Sequence, residues 1–210
     1  MRRSDLSTII SSSALIPILS LFLVGCAVSS ATISTYVEPG FNPSSITRIA
    51  VFPMRNAMIA PGQAEALDSA VAQAVKQRRP SIVIVSPTEA TKVLNEKGLA
   101  DKWAQFIDNY KASGIPNAAL LREIGDSLGV DAIIQGEINN IQQVNGAFAS
   151  NKGVTFVAVH YFMMGVQSST LLWQASSDAL RTTTTTVEDA PPIIQAIQLA
   201  QQKIVTTLPF

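Results

Sequence analysis

The chain has 210 residues, 47% of them hydrophobic and 14% charged, a balance that folds into a packed core instead of staying disordered. Fifteen basic residues stand against fifteen acidic ones, so there is no basic excess of the kind that nucleic acid binding requires. One cysteine and one histidine exclude an intramolecular disulfide, multi-cysteine zinc sites and His-pair constellations, so no metal and no cofactor is expected.

Arg2 and Arg3 precede an uncharged run from Leu6 to Val24. A basic start followed by such a run is the pattern of a secretory signal. Its length would also just span a bilayer as a retained helix. Leu23-Val24-Gly25-Cys26 closes the run, and this resembles the lipobox of bacterial lipoproteins. The resemblance implies that residues 1–25 are a signal peptide and that the Cys26 thiol takes a diacylglyceryl group. Cleavage then falls before Cys26, and the new amino group is acylated, palmitate being the usual label. One acyl chain holds a protein marginally, whereas two or three hold it stably. Cleavage would leave 13 basic and 14 acidic residues, so the lipid on Cys26, not charge, would hold the chain to the membrane. Ala27 in place of Asp favours, by analogy with lipoprotein sorting, the outer membrane facing the periplasm.

Residues 26–45 follow as a lipidated tether. The stretch after Cys26, AVSSATISTYVEPGFNPSS, is rich in Ser, Thr, Pro and Gly, and a flexible chain of that length spans roughly 25 Å. The alternative is an arm in which Ile33, Tyr36, Val37 and Phe41 pack on the domain.

Residues 46–210 read as a single α/β domain. Ile46 to Phe52 is an apolar, β-branched run closed by Pro53, hence a buried strand. Gln63 to Gln77 carries Leu67, Ala70, Val71, Ala74 and Val75 on one helical face. Ser81 to Val85 is a second strand. Ser86-Pro87-Thr88-Glu89 is a capping box that opens a helix ending at Gly98-Leu99. Trp103, Phe106, Ile107 and Tyr110 mark a third helix, ended near Gly114. Asn117 caps a fourth, closed by Gly129. A long strand runs from Val130 to Val144, its second half turning polar. Residues 145–153 make a hairpin loop. Val154 to Val166 is a central strand and Leu171 to Thr186 returns, with five threonines suited to an exposed sheet edge. Asp189 to Thr207 is a last amphipathic helix. With these five strands numbered in chain order, right-handed crossovers predict a mixed five-stranded sheet of order 2-1-3-4-5. Three strands are parallel and two antiparallel. Helices lie on both faces, the first on one and the second to fourth on the other.

Ile49-Ala50-Val51-Phe52-Pro53, the segment Ile124 to Ile138 (IGDSLGVDAIIQGEI) and Ser169-Thr170-Leu171-Leu172-Trp173 resemble motifs of a group of bacterial envelope domains. The group includes the curli-secretion lipoprotein, the penicillin-binding-protein activator lipoprotein and the amino-terminal domain of the Tol propeller protein. The resemblance implies architecture more than activity. Residues 145–153 are too short to build the membrane-spanning hairpins of the secretion channel, and the tether lacks the activator's long Pro-rich stretch.

His160 lies mid-strand with no second histidine, and no G-x-S-x-G elbow, P-loop or G-x-G-x-x-G occurs. Asp131 and Glu137 share a strand face roughly 20 Å apart, too far for a carboxylate pair. Asp131 is read as bonding backbone near the helix-to-strand join. In open α/β sheets the crevice lies where strand order reverses, here beside Arg55, Asn56, Glu137 and Asn139. That crevice is the candidate partner-binding site, or else Arg55 and Glu137 form a simple surface ion pair. The expected function is a non-enzymatic, lipid-anchored envelope lipoprotein with a protein-binding domain, an adaptor or regulator of an envelope assembly. The alternatives are a homo-oligomeric subunit of an export or secretion complex, or a cell-wall enzyme.

Overall fold

The computed structural model describes residues 28–55, 59–147, 151–185 and 188–210. Leu23, Val24, Gly25, Cys26 and Asn56 lie outside the described residues. Strands β1 (Ser29–Ala31) and β2 (Ser34–Val37) precede a short 3-10 turn (Pro43–Ser45) and β3 (Arg48–Val51). Helix α1 (Pro61–Arg78), β4 (Val83–Val85), α2 (Pro87–Glu96), α3 (Ala100–Ser113) and α4 (Ala118–Leu128) follow. The chain then forms β5 (Ala132–Val144), β6 (Val154–Gly165), β7 (Leu171–Thr182) and α5 (Ile193–Val205).

The sheet is mixed and has seven strands in the order β1-β7-β6-β5-β3-β4, with β2 also paired to β7. β3 runs parallel to β4 and β5, and the remaining pairs are antiparallel. The expectation of a five-stranded sheet is therefore corrected. The two added strands come from residues expected in the tether: Ser29 stands opposite Arg181 and Val37 opposite Trp173. The physical reason is that an edge strand needs only backbone partners, so Ser- and Thr-rich sequence serves as well as apolar sequence. Ile33, Tyr36 and Val37 remain exposed, and of the four residues considered for a packed arm only Phe41 meets the core. Of the threonines expected at a sheet edge, Thr182 lies instead inside the sheet, on β7 between β6 and β1, and Thr183 to Thr185 follow the end of that strand. β7 ends at Thr182 beneath β1, and the hydroxyl of buried Thr183 accepts from Gly153 N (2.9 Å).

Alternation along β3 divides the core in two. Ile49 and Val51 face α1 and α5, where Leu67, Val71, Val75, Ile197 and Ile204 meet Tyr161 and Trp173. Ala50 and Phe52 face α2 to α4, where Leu94, Trp103, Phe106, Leu121 and Ile124 meet Phe162 and Met164. The first helix thus lies on one face and the next three on the other. Each such large side chain contributes about 1.5–3 kcal/mol through burial.

Local signals set the boundaries. Ser86 Oγ accepts from Glu89 N (3.2 Å), and Asn117 Oδ1 from Leu120 N (3.1 Å). Gly129 turns α4 into β5 at φ +61°, a left-handed conformation that favours glycine. Two glycines of the IGDSLGVDAIIQGEI segment serve close packing. A Cβ on Gly125 would stand 2.3 Å from Val166 Cγ1, and one on Gly136 2.4 Å from Tyr161 Cε1. That motif therefore records how a helix and an aromatic ring seat on this sheet. Asp131 completes the join: its carboxylate accepts from Thr47 N (2.7 Å), Thr47 Oγ1 (2.8 Å) and Arg48 N (2.9 Å).

Candidate functional site: the crevice beyond β3

β3 ends at Val51, but the chain continues along β5. Phe52 N donates to Ile134 O (2.9 Å), Arg55 N to Gly136 O (2.9 Å), and Ile138 N to Arg55 O (3.3 Å). Arg55 and Glu137 are thus brought side by side as partners of a parallel backbone bridge. Their side chains do not pair with each other, contrary to the surface ion pair considered from the sequence. α3 packs against this region and presents a counter-charge to each. Arg55 Nη2 donates to Asp108 Oδ1 (2.9 Å), and Lys111 Nζ to Glu137 Oε2 (3.0 Å). Asp108 and Lys111 are three residues apart, so one helical turn serves both partners. The only sequence signal for them was their place beside the apolar stripe of Trp103, Phe106, Ile107 and Tyr110. Asn139 stands exposed at a register shift between Ile138 and Asn140.

The floor of the crevice is apolar and internally satisfied. Trp103 Nε1 donates to Oε1 of buried Gln135 (2.9 Å), whose amide nitrogen donates to Pro53 O and Gly136 O (both 2.8 Å). The Trp103 ring lies 4.9 Å from Phe106, stacked, and 4.7 Å from Phe52, edge-on. A hollow of about 200 Å³ opens here, lined by Phe52, Leu94, Ala100, Trp103 and Gln135, with Arg55 at its rim. Trp103 is thereby a core residue that also floors the crevice.

On the other side of Pro53 lies a residue the sequence reading missed. Asp68 of α1 is buried, and its carboxyl oxygens accept from Met54 N at 2.9 and 3.1 Å. Burial, with a smaller push from Glu65, raises its pKa to about 7 against the opposing Met54 hydrogen bond. Its signal was position: Asp68 lies next to Leu67 and one turn before Val71, on the buried face of α1.

His160 faces Glu137 across the β5–β6 pair, and its Nδ1 lies 2.8 Å from Ser176 Oγ. Burial lowers its pKa; Glu137 opposes this and Lys111 adds to it. Asp131 is held below the usual carboxylate range: burial pushes it up, but the bonds from Thr47 and Arg48 outweigh that. Among the described residues, no group of three His, Cys, Asp or Glu is placed to hold a metal ion. Among the same residues, no helix is long and apolar enough to cross a membrane.

No protein-family model matches the chain, and no curated protein sequence matches it. Among solved structures, it is similar to the PelC dodecamer from Paraburkholderia phytofirmans, at 12% identity and a TM-score of 0.47, covering 84% of this chain and 96% of that one. It is also similar to the LpoB C-terminal domain from Salmonella enterica, at 12% identity and a TM-score of 0.38, covering 63% and 81%. Lipoprotein GNA1162 from Neisseria meningitidis matches at 12% identity and a TM-score of 0.38, covering 77% and 99%. At these identities and scores the likeness says nothing of what this chain does.

Proposed function

We propose that this chain is a lipid-anchored lipoprotein of the bacterial envelope whose α/β domain binds a protein partner without turnover, as an adaptor or regulator of an envelope assembly. The observation that carries the anchor is Leu23-Val24-Gly25-Cys26 at the end of an uncharged run behind Arg2 and Arg3. The outer membrane, facing the periplasm, is the location that Ala27 favours. What supports binding over catalysis is how the ionisable groups are employed. Arg55 is engaged by Asp108, Glu137 by Lys111, Asp68 by Met54 N, and Asp131 by the start of β3. The polar rim, half-buried Arg55 with exposed Asp108, Lys111 and Asn139, suits a transient protein interface.

Replacing Cys26→Ala should abolish incorporation of labelled palmitate and processing at this site; a variant that still takes up the label overturns the anchor. Arg55→Glu should leave stability within about 1 kcal/mol, because its pairing with Asp108 is partly solvated. It should weaken capture of the partner from the native envelope. Unchanged capture removes the crevice from the proposal, and hydrolysis of a cell-wall fragment by the purified domain overturns the reading of a binding domain.

A further inference from the structure

We infer that the end of the sheet formed by Val28, Thr182, Val154 and Val144 rests against the bilayer that holds the lipid of Cys26. The inference rests on the lipid reading of Cys26 and on chain length. A residue advances the chain by at most about 3.6 Å. Only Ala27 separates Cys26 from Val28, and Val28 is already held on the sheet. Its N–H donates to Thr182 Oγ1 (3.2 Å), and Thr182 N donates to Val28 O (3.0 Å). The lipidated residue therefore lies within about 7 Å of a fixed point on the domain, where a free tether would have allowed roughly 25 Å.

That fixed point belongs to a row across four strands. Thr182 stands opposite Val154, and Val154 opposite Val144. The two outer members are apolar and open to solvent, Val28 at 54% and Val144 at 60% exposure. Acyl chains on Cys26 enter the membrane at the headgroup boundary, so a surface within one or two residues of them meets that layer. Charge does not select the lipid. Lys152 and Arg181 near this end are matched by Glu188 and Asp189, of which Glu188 closes the loop through Gly146 N to its carbonyl (3.1 Å). The occupant is thus a bilayer surface as such, not an anionic lipid patch. The opposite end of the sheet, at the β6–β7 turn, stands a β6 length away, roughly 40 Å for its 12 residues.

The test uses the full lipidated protein, purified from membranes and reconstituted in vesicles of phosphatidylcholine, with or without phosphatidylglycerol. Single variants Val144→Cys and Gln167→Cys carry a fluorophore, the native thiol being occupied by lipid, and the vesicles carry headgroup nitroxides that quench at short range. We expect strong quenching at position 144 in both vesicle types and none at 167. A 16-residue Gly-Ser insertion between Ala27 and Val28 should reduce the signal at 144 to that at 167 while the protein still floats with the vesicles. Equal quenching at the two sites, or quenching at 144 that survives the insertion, overturns the membrane-facing end alone. Loss of palmitate label and of flotation overturns the anchor and this inference with it.

Discussion

Asp68 shows how a single buried group can govern the pH response of the fold. An unfolded aspartate titrates near 3.9, whereas burial holds this one near 7. Between about pH 4 and pH 7 the folded chain binds the extra proton, so this group's contribution to stability falls as pH rises. His160 works the other way: burial lowers its pKa, so just below pH 6.5 the unfolded chain holds the extra proton and stability rises with pH. Comparison of wild type with Asp68→Asn isolates the first effect, since asparagine Oδ1 can still accept from Met54 N. The variant should gain on wild type from pH 5 to pH 7.5, by about 2–3 kcal/mol, and then level off. Parallel melting curves across that range would rule out a titrating Asp68. The residue was legible only as a position on a buried helix face, because composition gives no reason to place a carboxyl there. The proposal for Cys26, by contrast, rests on a local motif in the sequence and on no tertiary contact, and the palmitate label is what tests it.

Elements whose signals are local were read correctly; β1 and β2, which depend on a distant partner and carry no strand signal of their own, were not. The caps at Ser86 and Asn117 and the close at Gly129 come from neighbouring residues, and each is found as expected. β1 and β2 depend wholly on β7, far along the chain, and their own sequence reads as linker. The crevice behaves similarly. The register of β3 on β5 brings Arg55 beside Glu137, as reasoned, but the helix that supplies Asp108 and Lys111 is placed by packing, so the pairing differs. The helix-to-sheet contact under the motif glycines gives a direct test. Gly125→Ala would drive a methyl to 2.3 Å from Val166 Cγ1, at a contact where both residues are buried. Overpacking of that kind costs about 1–3 kcal/mol, and chemical denaturation should show a loss in this range. A change below about 0.5 kcal/mol, the size expected of a surface substitution, would mean that Gly125 and Val166 are not in the contact described.

At the scale of the whole molecule, the arm of residues 28–37 decides where the domain begins. It runs antiparallel along β7, from the sheet end that carries Val28 toward Trp173, so it both covers an edge and brings the chain to the start of β3. Backbone bonds continue between and beyond its two strands: Thr32 N donates to Asp178 O (2.9 Å) midway, and Glu38 N donates to Leu172 O (3.0 Å) at the far end. Ser177 Oγ adds a bond to Thr32 O (2.6 Å). A chain begun at Ile46, the boundary that composition suggests, would leave all 12 residues of β7 with an open edge. Each lost bond is worth about 0.5–1.5 kcal/mol net, partly offset by the freed entropy of the arm, so a loss of about 1–3 kcal/mol is expected. An uncovered long edge also pairs with other chains. Compared with a chain begun at Val28, the shorter one should melt lower and scatter more light at equal concentration. Identical melting and identical mass in the two chains would show that the arm is dispensable and that the domain begins at β3.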